Sequence, residues 1–382
     1  MRSVVETTRA VIARMPRLAS EEVELAAAVG RVLAKDVTAT RQLPGFDNSA
    51  MDGYAARSAA LPGTFAVTQV VAAGDAPAAT SEVVRIFTGA PMPAGLDTVV
   101  MQEDTQHDGD RIVLPASRIG ENVRRAGEDI AVGECVLAAG TRIRPWHIGV
   151  LAALGVARVG VARAPRVALL ATGDELVEVA TQPKPGQLVN SSAYALAALV
   201  AECGGVPISL GIVRDDLAAT REALSTTADV IITTGGVSVG DRDFVREALD
   251  ELELYKVAMK PGKPFAFGRR GETPVFGLPG NPVSTLVAFE LFVRPALLAM
   301  QGAAITERPR RAVTLPGGYR KPAGRAHYVR ARVEGDVAHV HPKQGSAMLS
   351  SVLGTNALVE IAAELTEVAP GGTAPAILLE LV

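Results

Sequence analysis

Residues Asp229 to Asp243 read D-V-I-I-T-T-G-G-V-S-V-G-D-R-D, and the break in the middle of that stretch decides the fold. Val230 to Thr233 is a short run of β-favouring residues that stops at Gly235-Gly236, the pattern of a buried parallel strand whose carboxyl end opens into a loop. Adjacent glycines let backbone amides approach an anion with no Cβ in the way. Ser238 adds a hydroxyl, and a helical pattern from Asp243 supplies a positive N-terminus. Taken alone, Gly-Gly after a strand is more often a plain turn than a phosphate cradle, so the surrounding chain has to carry the reading.

Outward from that stretch, Pro165 to Gln301 alternates strand and helix patterns. Strands are expected at Val167 to Ala171, Ile208 to Val213 and Val230 to Thr233, with a cluster at Val257 to Met259, Phe265 to Phe267 and Pro274 to Phe276. Between them, Asn190 or Ser191 caps a helix that ends at Gly204-Gly205, and Leu217 to Leu224 and Phe244 to Leu252 give two more. Such a series makes one doubly wound α/β domain, in which ligands bind beyond the carboxyl ends of the strands. Acids follow each of the first three strands: Asp174-Glu175, Asp215-Asp216, and Asp241 with Asp243. Converging carboxylates are costly without a cation, and oxygen donors with no nearby His or Cys favour Mg²⁺ over zinc. Helix capping by Asp215 or Asp216 and by Asp243 is the competing explanation for some of them.

Cations fall on the same side. Lys256, Lys260 and Lys263 lie in Y-K-V-A-M-K-P-G-K-P, where a period of two puts Lys256 and Lys260 on one strand face. Pro261, Gly262 and Pro264 fix the backbone around Lys263, which suits a compact oxyanion. L-P-G-N-P-V-S at Leu278 to Ser284 then enters a long apolar helix with Asn281 as N-cap and Pro282 at its first position. Pro295 is expected to kink that helix.

Flanking regions differ in texture. Val4 to Met15 is an amphipathic first helix ended by Pro16, and Leu25 to Val37 reads as a second helix running into an extended segment. Phe65 to Ile130 holds short alternating runs such as Thr98 to Gln102 and Arg111 to Leu114, the mark of a small β-rich domain. At its start, R-Q-L-P-G-F-D-N-S-A-M-D-G-Y-A from Arg41 to Ala55 is loop chemistry carrying Asp47 and Asp52. Within it, I-F-T-G-A-P-M-P at Ile86 to Pro93 offers the Thr88 hydroxyl, and G-E-N-V-R-R-A-G-E-D-I at Gly120 to Ile130 carries Asp129. On the residues alone, local backbone capping and solvated turns are the commoner explanation of such positions. From Thr306, short strands separated by Gly and Pro give a terminal β-barrel or sandwich with a basic tint. The expected division is 1–44 with 133–164 as an extended N-terminal α+β domain, 45–132 as a β-rich insertion, 165–304 as the α/β domain, and 305–382 as a small C-terminal β-barrel.

Bulk numbers narrow the class. A chain of 382 residues is too long for one core. With 38 basic and 41 acidic residues the net charge is −3, which argues against a general nucleic-acid or membrane-surface binder. Two cysteines, Cys135 and Cys203, indicate neither a disulfide framework nor a zinc cluster. No run of about 18 uncharged apolar residues reads as a membrane span. A reducing, cytoplasmic compartment fits best.

Taken as an ordered set, P-G-F-D-N-S-A-M-D-G-Y-A, I-F-T-G-A-P-M-P, V-R-R-A-G-E-D-I, A-T-G-D-E-L, G-G-V-S-V-G-D-R-D, M-K-P-G-K-P-F-A-F-G and L-P-G-N-P-V-S closely resemble the molybdopterin molybdenumtransferases, the family that includes the E domain of gephyrin. The resemblance is strong over roughly residues 1–302 and weaker beyond, through Arg330 and the Q-G-S of Gln344 to Ser346. It implies a Mg²⁺-dependent reaction in which adenylylated molybdopterin is bound, AMP leaves, and molybdate is ligated to give molybdenum cofactor. By motif it implies Asp52, Glu175 and Asp215 as catalytic, the last two holding the metal. Thr88, Asp129, Gly235, Gly236, Ser238, Asp243, Lys256, Lys260, Lys263, Arg330 and Ser346 would bind substrate. A homodimer and contact with the molybdopterin adenylyltransferase are also implied. The competing readings are an adenylyltransferase-like activity, whose single α/β domain would resemble Pro165 to Gln301, and a non-catalytic molybdopterin-binding scaffold.

Overall fold

The computed structural model describes residues 1–236 and 244–380. At its centre is a six-stranded sheet of β1 (Arg166–Thr172), β2 (Val206–Val213), β3 (Val230–Thr234), β4 (Glu251–Lys256), β5 (Pro264–Arg270) and β6 (Thr273–Leu278), in spatial order 2-1-3-6-5-4. β2, β1, β3 and β6 are parallel, while β4 and β5 are antiparallel and form one edge. All five residues of β3 are buried, as a parallel strand covered on both faces requires. Helices α1 (Ser191–Glu202) and α2 (Leu217–Ala223) link β1 to β2 and β2 to β3; α3 (Phe244–Ala248) precedes β4. After β6 comes the long α4 (Pro282–Met300), apolar enough to cross a membrane by composition, yet 83% of that window is buried inside the fold. It packs on the sheet through Phe289 and Phe292, and Phe292 stacks on Phe265 at 4.4 Å.

The other parts hang on this centre. An N-terminal helix, Val4–Ile12, is closed by a capping box between Ser3 and Glu6 and buries Val4 and Val11 in the α/β core. Ser20–Glu24 pairs with Arg158–Ala162, and Val37–Thr38 with Cys135–Leu137, so the two chain stretches share a core of Leu33, Ile143, Leu151 and Val161. Between them, the inserted β-rich region is organised on a four-stranded sheet of Val70–Val71, Val84–Ile86, Gly53–Ala56 and Thr98–Met101, with a small core on each face. The C-terminal barrel closes fully. Ala326–Glu334 pairs with both Val337–Val340 and Ala357–Ile361, and Arg310–Leu315 and Gly372–Leu378 complete the ring.

Three local expectations give way. Leu25 to Val37 holds only a 3₁₀ turn at Leu25–Ala27, because Gly30 adopts φ +82° and Val32 bridges to Arg142, so strand-like pairing overrides helical spacing. The helix expected from Phe244 to Leu252 stops at Ala248, since Glu251–Lys256 is claimed by β5. That same pairing ends β4 at Lys256, and Lys260 lies in a separate two-residue strand, Met259–Lys260, paired with the barrel at Ala326 and His327. Lys256 and Lys260 therefore share no strand face. Around Pro295 the expected irregularity in α4 takes the form of a π-helical turn at Phe289–Val293, which relieves the clash of the proline ring with the Leu291 carbonyl. That carbonyl instead accepts a hydrogen bond from Thr8 Oγ1 at 3.0 Å.

Candidate active site

In spatial order 2-1-3 the chain reverses direction between β1 and β3, and the crevice beyond their carboxyl ends is where a doubly wound sheet binds ligand. Here the two ends nearly fuse. Gly235 has φ +85°, and a Cβ on it would stand 2.7 Å from the Thr172 carbonyl oxygen; Gly236 has φ +63° and a Cβ there would meet Val245 at 2.7 Å. Both glycines are thus required by backbone geometry and close approach as well as by any ligand. Ser238 and Asp243, the other candidates on this loop, lie outside the described residues.

Beside the glycines stand the acid-bearing loops. Glu175 is exposed, its carboxylate folded over Gly173, where a Cβ would lie 2.5 Å from Glu175 Oε2. Asp216 Oδ1 accepts from the Ala219 amide at 2.8 Å and caps α2, which leaves capping to Asp216 and not to Asp215. Asp215 donates its own amide to Asp174 Oδ1 at 3.4 Å, so the Asp174–Glu175 and Asp215 loops are in contact. Among the described residues no group of three or more His, Cys, Asp or Glu side chains could hold a metal ion. Glu175 and Asp215 offer oxygen donors only, a chemistry that suits Mg²⁺, which commonly takes just one or two carboxylates from a protein. Asp174, read with Glu175 as one of the acids that follow the strands, ties the two acid loops together.

The other side of the crevice is closed from the barrel. Asn281 forms no side-chain cap on α4. The Val283 amide donates instead to the Ser346 carbonyl at 3.1 Å, bringing the Gln344–Ser346 loop to the helix N-terminus. Arg330 holds that loop from beneath. Only 2% exposed, it donates to the Gly345 carbonyl at 3.2 Å, the Lys343 carbonyl at 3.4 Å and Ser351 Oγ at 3.2 Å, and burial pushes its pKa down. Lys256, Lys260 and Lys263 are all exposed. Their loop is clamped on both sides: Ala258 donates its amide to Arg2 O at 2.9 Å, and Ala326 donates to Ala258 O at 2.8 Å. Next to Lys260, His327 is buried and bonded to the Tyr319 hydroxyl at 3.2 Å; burial, then the Lys260 charge, lowers its pKa to about 4.

Asp52, Thr88 and Asp129 lie in the inserted region. Asp52 Oδ1 accepts from both the Thr88 amide and the Thr88 hydroxyl at 2.7 Å, and these bonds, with Arg85 nearby, hold the carboxyl below its ordinary pKa. Asp129 is exposed and its amide donates to Leu43 O at 3.0 Å. Asp47 serves the fold, clamping the Ala126 amide at 2.8 Å and Arg125 at 2.6 Å. Among the described residues, the hydrogen bonds of Asp52 and Thr88 close inside this region.

Three family models cover the chain: the MoeA N-terminal region (domain I and II) at residues 2–155, a probable molybdopterin binding domain at 168–299, and the MoeA C-terminal region (domain IV) at 312–379. "Molybdopterin molybdenumtransferase 2" of Mycobacterium tuberculosis H37Rv is 37% identical over 97% of this chain and 98% of its own length. The chain belongs to the molybdopterin molybdenumtransferase family. A second relative, the molybdopterin molybdenumtransferase of Haemophilus influenzae, is 34% identical over 93% of this chain and 92% of its own. Among solved structures, the molybdopterin biosynthesis MoeA protein of Pyrococcus horikoshii OT3 superposes with a TM-score of 0.88 at 32% identity, covering 99% of this chain and 100% of that one. Family membership extends over all the regions described above, the C-terminal barrel included.

Proposed function

We infer that this chain inserts molybdenum, supplied as molybdate, into molybdopterin, and that adenylylated molybdopterin is the form it takes up. The observation that carries the reading is the full-length similarity to proteins named molybdopterin molybdenumtransferase, with identities of 34–37% over more than nine-tenths of both chains. Matches to both flanking MoeA regions weigh against a lone adenylyltransferase-like domain.

In the finer reading, the phosphoanhydride of the substrate is cleaved, AMP leaves and the dithiolene takes up molybdenum. Glu175 and Asp215 would hold Mg²⁺, which neutralises phosphate charge when bound. The amides of Gly235 and Gly236, with Ser238 and Asp243, would seat the phosphates. Lys256, Lys260 and Lys263 are placed to gather molybdate and the pterin phosphate, with Ser346 at the helix N-terminus and Arg330 fixing its loop. Asp52, kept ionised by Thr88, and Asp129 would approach from the inserted region. An elongated homodimer with the cleft between protomers, contact with the molybdopterin adenylyltransferase and a cytoplasmic location belong to the same reading.

The test is AMP release from adenylylated molybdopterin by the purified chain with Mg²⁺, with and without molybdate, beside an assay for finished cofactor. Molybdate-dependent AMP release with cofactor formation is expected. Retention of the ligand without AMP would make the chain a scaffold, formation of adenylylated molybdopterin from ATP would favour the adenylyltransferase reading, and absence of binding would overturn all three.

A further inference from the structure

Apart from Gly235 and Gly236, the residues gathered so far are ionic or hydroxylic, yet the substrate of the proposed reaction carries two planar nitrogen heterocycles, a pterin and an adenine. Neither would find a flat apolar face among those residues. One exists next to Asp52. The loops 46–52 and 87–92 are laced together by Gly89 N to Ser49 O at 2.8 Å, Ser49 N to Ala90 O at 3.0 Å and Met92 N to Asp47 O at 2.9 Å. On this rigid ledge Phe46 is 53% exposed, Met51 38% and Phe87 39%. Met51 adjoins Asp52 and Phe87 adjoins Thr88 in sequence, so exposed apolar side chains flank the bonded Asp52–Thr88 pair, and exposed apolar patches with polar rims mark binding sites.

Phe87 is the most strongly prepared of the three. Its backbone is pinned through Phe87 N to Val71 O at 3.1 Å and Ala90 N to Phe87 O at 3.0 Å, one residue before the Thr88 that holds Asp52. Arg85 lies with Cζ 5.4 Å from the Phe87 ring centroid and 4.9 Å from that of Tyr54. That guanidinium is itself anchored on Gln102 Oε1 and, at 3.5 Å, on the Gly53 carbonyl. A ring fixed by a cation on one side and open on the other loses little freedom when a second ring stacks on it. Asp52 next to it is an acceptor for the N–H groups that both heterocycles carry at their edges.

We propose that Phe87, backed by Arg85 and set beside Asp52, is the stacking platform for a planar nitrogen heterocycle of the substrate. The assignment rests on the molybdenumtransferase reading for its ligand class and on the ledge geometry for its location. The experiment compares the parent chain with Phe87→Leu, Phe87→Tyr and Phe87→Trp. Each is titrated calorimetrically with AMP alone and with a soluble pterin alone, and turnover of adenylylated molybdopterin is measured, with melting temperature and sedimentation as checks on fold and assembly. Phe87→Leu should raise KM for adenylylated molybdopterin about tenfold, the usual scale for losing one base–aromatic stack, while kcat changes by less than about twofold. Phe87→Tyr and Phe87→Trp should keep the parent KM, and the probe that Phe87→Leu loses identifies the seated ring. Parent-like KM and parent-like binding of both probes in Phe87→Leu would overturn the platform while leaving the reaction untouched. A change in sedimentation with unaltered ligand binding would overturn it too, assigning the ledge to contact between copies. If the parent shows no turnover but Phe87→Leu still loses one probe, the platform stands and the reaction assignment falls.

Discussion

Two carboxylates in this molecule, Glu290 and Asp52, each hold neighbours in place, and they do so in opposite surroundings. Glu290 sits in α4 with its side chain 8% exposed, and both its oxygens receive Arg308 at 3.0 Å. Arg308 continues to Glu202 at 2.8 Å and to the Leu379 carbonyl at 2.7 Å, and Arg294, 3.9 Å from Glu290, donates to Thr306 O at 2.8 Å. Within that network every charge is answered by protein, and it bolts the α/β domain to the barrel. Asp52 receives both its bonds from one residue, on one oxygen, at the surface of an inserted region. A closed network spends its charge on the fold; an open one keeps charge available for a ligand. Arg330 is intermediate, since its buried guanidinium is answered by carbonyls and a hydroxyl and acts on the site by shaping the loop of Ser346.

The contrast is exposed to its hardest test if Glu290 is neutralised. Glu290→Gln leaves Arg308 and Arg294 short of their buried anion, and removing one partner of such a network costs about 3–5 kcal/mol. Urea unfolding should show that loss, and a cost below about 1 kcal/mol would mean the junction is wet and the two carboxylates are alike. Asp52→Asn should behave in the reverse way. Activity should fall by roughly 10²–10³, the range for removing one charge-stabilising group at a reacting centre, with unfolding midpoints near the parent's. Loss of stability in step with activity would make Asp52 a structural acid.

A third experiment uses pH on the boundary between the two regions. His327 is buried beside the clamped lysine loop, and the charged groups facing it are Lys260, Lys321 and Arg325, with the Tyr319 hydroxyl on Nδ1. Its pKa is lowered from 6.5 to about 4 in the fold, so the unfolded chain binds the extra proton first. The stabilisation is therefore complete above pH 6.5 and is lost as pH falls toward 4, at up to about 1.4 kcal/mol per pH unit. His327→Asn should flatten that limb of a stability-against-pH curve; an unchanged slope would show that His327 is already hydrated.

How much of this was legible in the sequence follows the same division. The α/β series, the closing barrel and the crevice at Gly235-Gly236 came from local signals: apolar runs, their period and the glycines that end them. So did the resemblance to the molybdenumtransferases, which lies in short ordered motifs. Whatever depended on a distant partner did not show. Asn281 holds the N-cap position of α4 as read, but its side chain makes no cap, and the Val283 amide is answered by the Ser346 carbonyl that the barrel delivers there. Lys256 and Lys260 part company because β5 and the barrel each claim one strand segment. The disturbance at Pro295 could be read, but nothing in its neighbourhood announces that Thr8 will take up the Leu291 carbonyl. Phe87 was hidden for another reason: one aromatic residue after a strand has no period, and only the exposed ledge gives it meaning.

The smallest expected effect draws the line between the two carboxylates most finely, because it alters an interaction without removing a charge. Thr88→Val deletes the hydroxyl that donates to Asp52 Oδ1 and keeps the backbone amide that donates to the same atom. The amide is the larger cause of the lowered pKa and the hydroxyl the second, so the carboxyl should move only part of the way back toward its ordinary value. A carbon-13 titration of the Asp52 carboxyl would follow it. Activity should drop roughly tenfold or less, within the range for one charge-assisted hydrogen bond, and Thr88→Ser should restore it. In an open network the protein's own bonds orient the carboxylate while leaving its charge for the ligand, so orientation is lost before charge. If Thr88→Val were as damaging as Asp52→Asn, the hydroxyl itself would be the reacting group, and Asp52 would be its holder, the relation that Arg330 has to the Ser346 loop.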